Sequence, residues 1–303
     1  MTRSGRLVVA LALNGVLVAG QVVAGIAARS TGLFADAGHN LTDVVAIGIS
    51  LLAVRWAMRP RSEARSFGNH RGTILAALVN AAILAVVTAA IVAESIDRLV
   101  SPVHVDGGVV VVTAAVAVVA NGIAAAVVFD RSRDLNMKSA VVHMISDAAA
   151  SLCVLAAGVV IVVGGESWDR ADPVASLVVA VVIVVQVAHL VKASADVLLE
   201  STPSDIDLPS MRRVILEVPG VGDVHDLHVW SLSSEVRALS AHLVVSGHPT
   251  LEEAQAVGAL VRERIVEPFG IAHSTLELEC ERCADVPDPC RMTVGAQTRE
   301  NPE

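Results

Sequence analysis

Residues 33–43 read LFADAGHNLTD and residues 137–147 read MKSAVVHMISD, and each stretch opens into a long apolar run. Both contain a histidine followed four positions later by an aspartate. Residues at i and i+4 of an α-helix share one face, so each stretch would present an imidazole beside a carboxylate. Ionisable groups inside a bilayer are costly and usually mark the path of an ion or a proton. The duplicated pattern therefore predicts an ion pathway between two membrane helices.

The rest of the chain is apolar enough to cross a membrane several times. It has 303 residues, of which 54% are hydrophobic and 17% charged, and its mean hydropathy is +0.64. A bilayer core about 30 Å thick takes about 20 apolar residues as a helix, which satisfies its own backbone hydrogen bonds. Six runs meet this length and predict an all-α, six-helix transmembrane domain in residues 1–200. They are residues 7–28, 33–54, 73–93, 109–129, 139–163 and 174–191.

The distribution of basic residues predicts how these helices are oriented. Loops rich in Lys and Arg stay in the cytoplasm. Eleven Lys and Arg residues fall on one side of the predicted helices and three on the other. We therefore expect both termini to be cytoplasmic, and a bacterial inner membrane is the simplest setting.

The ligand types in the two stretches indicate which ion the pathway serves. Two imidazoles and two carboxylates suit tetrahedral zinc, whereas Mg²⁺ and Ca²⁺ prefer six or more oxygens. Copper and cobalt also fit these ligand types. A helix rises about 1.5 Å per residue, so the depth of each ligand can be counted from the cytoplasmic end of its helix. The ligands of the second and fifth helices reach the same depth only if the fifth helix begins before residue 139. The predicted ligands are His39, Asp43, His143 and Asp147.

A further carboxylate, Asp36, stands three residues before His39. We expect it to lie at the N-terminal end of the second helix, where the helix dipole favours negative charge. An exit ligand or a proton acceptor on the same face is the alternative. Gln21 in the first span reads as a hydrogen bonder between helices.

The C-terminal part of the chain has a different composition and period. Residues 193–303 carry 8 basic and 19 acidic residues, so the net charge of −9 lies there and argues against nucleic acid as a partner. The pattern predicts a helix at 210–218, strands at 224–232 and 236–245, a helix at 251–266 and a strand at 273–280. This αββαβ order predicts a small two-layer α+β domain in residues 201–282. Residues 283–303 read as disordered.

Three cysteines cluster at the end of this domain. Cys280 and Cys283 have the C-x2-C spacing of soft metal ligands, and Cys290 follows. Zinc ligation and a disulfide both remain open for them.

Four motifs together resemble the cation diffusion facilitators, specifically their zinc-efflux branch. They are LFADAGHNLTD at 33–43, FGNHR at 67–71, HMISD at 143–147 and VHDLHVWSL at 224–232. The resemblance implies homodimers that exchange Zn²⁺, with Cd²⁺ and Co²⁺ as alternative cargoes, for protons at His39, Asp43, His143 and Asp147. It also implies a ferredoxin-like cytoplasmic domain. Relatives often follow FGNHR with an acidic residue, whereas this chain has Gly72, so we expect His70 to be an ordinary loop histidine.

The resemblance also implies a metal site in the cytoplasmic domain, with His225, His242, His273 and Glu279 as ligands. Side chains alternate along a strand, so we expect His225 and His228 to point to opposite faces and not to share an ion. The alternative is that His225 and His242 are ordinary polar residues of the sheet.

No nucleotide-binding motif of the Walker A type occurs, so ATP-driven transport and an enzymatic function are not predicted. Metal entry would expel protons, because ligation needs neutral histidine and ionised aspartate. The alternative from another functional class is a membrane-anchored metal sensor or scaffold that does not transport metal.

Overall fold

The computed structural model describes residues 3–128, 135–234 and 236–281, without the side chains of residues 3–13, 43, 47, 50, 127–128 and 135–144. The predicted disorder of residues 283–303 therefore lies outside the described residues. The chain divides into two compact units, Met1–Ser194 and Ala195–Glu303.

The first unit is built from long α-helices, each of which overlaps one predicted span. A helix can continue past its apolar core into polar residues, so most of the helices are longer than the apolar runs that predicted them. The fifth helix begins at Leu135, four residues before the predicted start. The helices are α1 (Arg3–Ala28), α2 (Thr31–Ala57), α3 (Gly72–Val100), α4 (Gly107–Val128), α5 (Leu135–Gly164) and α6 (Ala171–Leu198).

The helices of this unit have the length and surface of membrane spans. Within the described residues, five helical segments are long and apolar enough to cross a membrane, and the described apolar part of α1 is Asn14–Ala28. Large aliphatic side chains face outward, including Val86, Val116 and Val163, which are 71%, 57% and 82% exposed. Such exposure is costly in water and neutral in lipid.

Small residues let the helices of this unit approach each other closely. A Cβ added to Gly158 of α5 would lie 2.8 Å from Val110 of α4, and one added to Gly107 would lie 2.9 Å from Ile161. Val110, Ala114 and Val154 are fully buried where these helices meet. The α4–α5 pair is therefore packed too tightly to accept larger side chains at these glycines.

The second unit has the predicted αββαβ order. It consists of α7 (Leu208–Leu216), β1 (Val221–Ser231), β2 (Arg237–Val245), α8 (Leu251–Phe269) and β3 (Ile271–Glu279). β2 is the central strand, antiparallel to β1 and parallel to β3. The hydrophobic core between helices and sheet includes Met211, Ile215, Leu239, Leu243, Val261 and Ile265. The α+β class expected from the sequence is confirmed.

Local signals fix the ends of α8. Thr250 and Glu253 form a capping box, in which each side chain accepts a hydrogen bond from the other residue's backbone N–H. Gly270 ends the helix with φ of 65°, a left-handed conformation that glycine adopts without steric cost.

Candidate metal sites

The structure brings together two of the four predicted intramembrane ligands. His39 Nε2 of α2 lies 3.1 Å from Asp147 Oδ1 of α5, and each residue is 3% exposed. Two further pairs show that the helices run antiparallel here: Asp36 contacts Ser151, and Gly32 lies against Val154. The helix α5 begins at Leu135, before residue 139. This is the early start that the count of helical rise required for the ligands of α2 and α5 to meet.

The other two predicted ligands are Asp43, one turn after His39 on α2, and His143, one turn before Asp147 on α5. Their side chains are outside the described residues. Their part in an ion site stays a prediction.

Asp36 is not the carboxylate at the N-terminal end of α2 that was expected, because it lies in the second turn of the helix. It is fully buried, and its Oδ2 accepts hydrogen bonds from Gln21 Nε2 of α1 and, at 2.8 Å, from Ser151 Oγ of α5. Gln21 Oε1 accepts a further hydrogen bond from Asn40 Nδ2 at 3.1 Å. Gln21 thus bonds between helices, as the sequence predicted, and Asp36 belongs to a polar cluster beside His39.

The carboxylate at the start of α2 is Asp172, which comes from α6. It is fully buried and accepts hydrogen bonds from Thr31 N at 2.6 Å, Thr31 Oγ1 at 2.7 Å and Gly32 N at 3.2 Å, and also from the Ser30 hydroxyl. A carboxylate at this position satisfies the unpaired N–H groups of the first turn and complements the helix dipole. No local sequence pattern predicts this contact, because Thr31 and Asp172 are 141 residues apart.

In the second unit, three predicted ligands converge on one face of the sheet. His242 Nδ1 lies 2.9 Å from Glu279 Oε1, and His225 Nε2 lies 3.3 Å from Glu279 Oε2. One possible ligand atom from each residue lies within 4.8 Å of the others. Within the described residues, neither ring nitrogen of His225 makes a hydrogen bond, although both are buried. Two imidazoles and a carboxylate, with both nitrogens of His225 available, fit a Zn²⁺ ion.

A bulge in β1 overturns the expectation that His225 and His228 point to opposite faces. His225 pairs with His242 and His228 pairs with Ser240, so β1 holds one residue more than β2 between them. Asp226 accommodates the extra residue with φ of 48°. The partners on β2 are two positions apart, so His225 and His228 lie on the same face.

Two acidic residues that the sequence did not single out also face His242. Glu277 Oε2 lies 3.4 Å and Asp226 Oδ2 lies 3.6 Å from His242 Nε2. Glu277 is opposite His242 in the parallel β2–β3 pairing, and the bulge turns Asp226 toward it. Neither the pairing nor the bulge could be read from the sequence.

His273 does not join this cluster. It pairs with Ala238, four positions along β2 from His242, which places it about 13 Å away along the strand. The expectation that it is a ligand beside Glu279 is not supported by its position.

The remaining candidates form no cluster within the described part of the chain. Cys280 is exposed and free beside Glu279, while Cys283 and Cys290 lie outside the described residues. His70 is half-buried in the loop before α3, and its carbonyl accepts a hydrogen bond from Thr73 Oγ1. The groups of three or more possible metal ligands among the described residues do not include it.

Comparison with known proteins identifies both units. The family model described as "Cation efflux transmembrane domain" matches residues 7–199, and "Cation efflux protein, cytoplasmic domain" matches residues 203–281. "Metal cation efflux system protein CzcD" of Cupriavidus metallidurans is 34% identical over 91% of this chain and 86% of its own length. "Zinc transporter ZitB" of Escherichia coli is 33% identical over 96% and 91%.

Two further similarities were found. "Cadmium, cobalt and zinc/H(+)-K(+) antiporter" of Bacillus subtilis is 32% identical over 86% of this chain and 84% of its own length. A solved chain described as "Metal-bound C-terminal domain of the CzcD transporter from Cuprividus metallidurans" is 32% identical and covers 24% of this chain and 99% of itself. Its TM-score of 0.23 is too low to support a conclusion.

The matches span both units and agree with the motifs that carried the resemblance. This chain belongs to the cation diffusion facilitator family and is an integral membrane cation-efflux transporter, not an enzyme.

Proposed function

We propose that this protein exports Zn²⁺ from the cytoplasm in exchange for protons, through a four-ligand site between α2 and α5. The observation that carries the proposal is the buried contact between His39 Nε2 and Asp147 Oδ1 at 3.1 Å. A histidine and an aspartate from two helices meet there, in a region where unpaired charge is costly. The proposed ligands are His39, Asp43, His143 and Asp147.

The register of the two helices supports the second half of this ligand set. Each step of four residues along α2 corresponds to four residues backward along antiparallel α5. The pair His39 and Asp147 is therefore followed, one turn on, by positions 43 and 143. A tetrahedral N2O2 set of this kind suits Zn²⁺ and also admits Cd²⁺ or Co²⁺.

Proton exchange follows from the chemistry of the ligands. Zinc binds neutral imidazole and ionised carboxylate, so an arriving ion competes with protons for the same atoms. Two of the relatives are named for zinc, and one of these is named as an antiporter with H(+) and K(+). We propose that this chain likewise couples zinc efflux to proton entry.

We also propose that the protein is a homodimer in which the cytoplasmic domain binds zinc and regulates transport. His225, His242 and Glu279 would hold the ion there, with Asp226 and Glu277 as nearby carboxylates. We propose Cys280 and Cys283 as a second pair of zinc ligands in this domain. A bacterial inner membrane with both termini in the cytoplasm is the proposed location.

Zinc uptake into inverted membrane vesicles tests the transport site. With an imposed proton gradient, Asp147→Ala and Asp43→Ala should reduce uptake to background, because each removes a charged ligand. Asp97→Ala is the matched control, since Asp97 is an exposed aspartate at the end of α3. Undiminished uptake in Asp43→Ala and Asp147→Ala would refute the site. Zinc binding without any uptake in the wild type would favour a sensor instead.

A further inference from the structure

The polar cluster around Asp36 contains two buried oxygens that zinc export does not use. Both hydrogen bonds to Asp36 end on Oδ2, while its Oδ1 is buried and has no hydrogen-bond donor among the described residues. Asn40 Oδ1 is in the same condition, although its Nδ2 donates to Gln21. Both residues are fully buried.

Buried acceptors without donors are rare, because desolvating an oxygen without replacing its hydrogen bond costs free energy. Asp36 and Asn40 are four residues apart on α2, so they share one helical face. Gln21 links them, since it donates to Asp36 and accepts from Asn40. Two buried oxygens on one helical face, held by a common partner, therefore lack a positive partner among the described residues.

The chemistry of the cluster defines the class of ligand. The side chains of Asp36, Asn40, Gln21 and Ser151 offer carboxylate, amide and hydroxyl oxygens, so this set is harder than the neighbouring set of two histidines and two aspartates that includes His39. These four residues carry one formal negative charge, on the Asp36 carboxylate. That charge neutralises a monovalent cation, whereas a divalent ion would keep one buried positive charge without a counter-charge. We infer that Asp36, Asn40, Gln21 and Ser151 form a site for a monovalent alkali cation.

The site adjoins the proposed zinc site without sharing its ligands. Asp36 is three residues from His39, about 4.5 Å of helical rise toward the N-terminal end of α2. A cation held there would repel zinc at His39 and Asp147, and zinc would repel it in return. This coupling rests on the proposed function, whereas the alkali site itself does not.

Thermal unfolding of the full-length protein in neutral-lipid nanodiscs tests the site directly. Zinc is removed with a chelator, and NaCl, KCl or N-methyl-D-glucamine chloride is added at equal ionic strength. A ligand of the folded state raises the unfolding midpoint in a saturable way. We expect Na⁺ or K⁺ to do so and the bulky organic cation not to, and the comparison of the two salts identifies the preferred ion.

Two variants assign the effect to this cluster. Asp36→Asn and Asn40→Leu should each raise the half-saturating alkali concentration at least tenfold, while a single cooperative unfolding transition in N-methyl-D-glucamine chloride shows that the variants fold. Asn80→Leu on α3 is the matched control and should keep the alkali response. Equal midpoints in all three salts, as expected if only water fills the site, would overturn the inference. So would an alkali response that survives in both variants.

The two proposals fail separately. Loss of zinc transport in the wild-type assay would leave the alkali-dependent midpoint untouched. Absence of the alkali response would leave zinc uptake and its dependence on Asp147 in place.

Discussion

Asp172 is a single buried residue that holds the start of one helix from another. Its carboxylate accepts hydrogen bonds from Ser30, Thr31 and Gly32. In Asp172→Ala these donors would be buried without an acceptor, so we expect a loss of about 3 kcal/mol in the free energy of unfolding. Thermal unfolding in detergent measures it.

The control for this prediction is Asp106→Ala. Asp106 is exposed and caps α4 through Gly108 N and Val109 N. Water can replace it, so the expected loss is about 1 kcal/mol. Equal losses in the two variants would contradict a special role for burial at Asp172.

His242 is the residue on which the cytoplasmic cluster depends. It contacts Glu279 directly and faces Asp226 and Glu277. We expect His242→Ala to weaken zinc binding by this domain at least tenfold, because it removes the central nitrogen ligand. His273→Ala should leave the affinity unchanged, since His273 pairs with Ala238. Zinc titration of full-length protein carrying Asp147→Ala isolates the cytoplasmic site, and the reverse order of effects would refute this assignment.

Sequence patterns identified residues that meet in the structure wherever the relevant periodicity is local. The four-residue spacing within α2 and α5 sufficed to single out His39 and Asp147. It could not reveal that Asp36 is buried, because the donors to it come from α1 and α5. In the sheet, alternation failed at one extra residue, Asp226, which reversed the expected face of His228.

The tight contact of α4 with α5 determines which glycines of these helices can be replaced without loss of stability. A Cβ on Gly158 would meet Val110 at 2.8 Å and Val111 at 3.1 Å, whereas one on Gly122 of α4 meets nothing within 4 Å. Gly158→Ala should therefore cost about 1–3 kcal/mol through overpacking. Gly122→Ala should be neutral or slightly stabilising, because alanine favours helix. Comparison of the thermal midpoints of the two variants checks this, and equal midpoints would show that α5 can move aside.

The capping box of α8 gives this element a pH dependence. Hydrogen bonds from the Thr250 backbone N–H and hydroxyl hold the pKa of Glu253 below its ordinary value of 4.5. Because the pKa is lower in the folded state, ionised Glu253 stabilises the fold above about pH 4.5, and this contribution is lost as the pH falls through the lowered pKa.

Comparison with Glu253→Gln tests the pH dependence. The wild-type cytoplasmic domain should unfold at a higher temperature than the variant at neutral pH, and the difference should shrink as the pH falls through the lowered pKa of Glu253. Calorimetric scans across this range measure it. A difference that grows on acidification would contradict the stated sign.

At the scale of the whole molecule, the orientation proposed from loop charge can be tested with one thiol. Cys280 is exposed, so in a background with the other cysteines replaced by serine it should react with a membrane-impermeant maleimide. We expect labelling in inverted vesicles and none in intact spheroplasts. Ser167→Cys, in the exposed turn before α6, should show the opposite pattern. Labelling of Cys280 from outside the cell would show that the proposed topology is wrong.

The predicted ligand pairs are divided between helices with different neighbours. α2 packs chiefly on α1 and α3, while α5 packs chiefly on α4. Bonds from zinc to nitrogen or oxygen are about 2 Å long and tolerate little stretching. A relative shift of α2 and α5 by about 1 Å would exceed the tolerance of such bonds. The affinity for the ion would therefore depend on the spacing between the two groups of helices. A small change in this spacing would release the ion while every ligand keeps its position on its own helix.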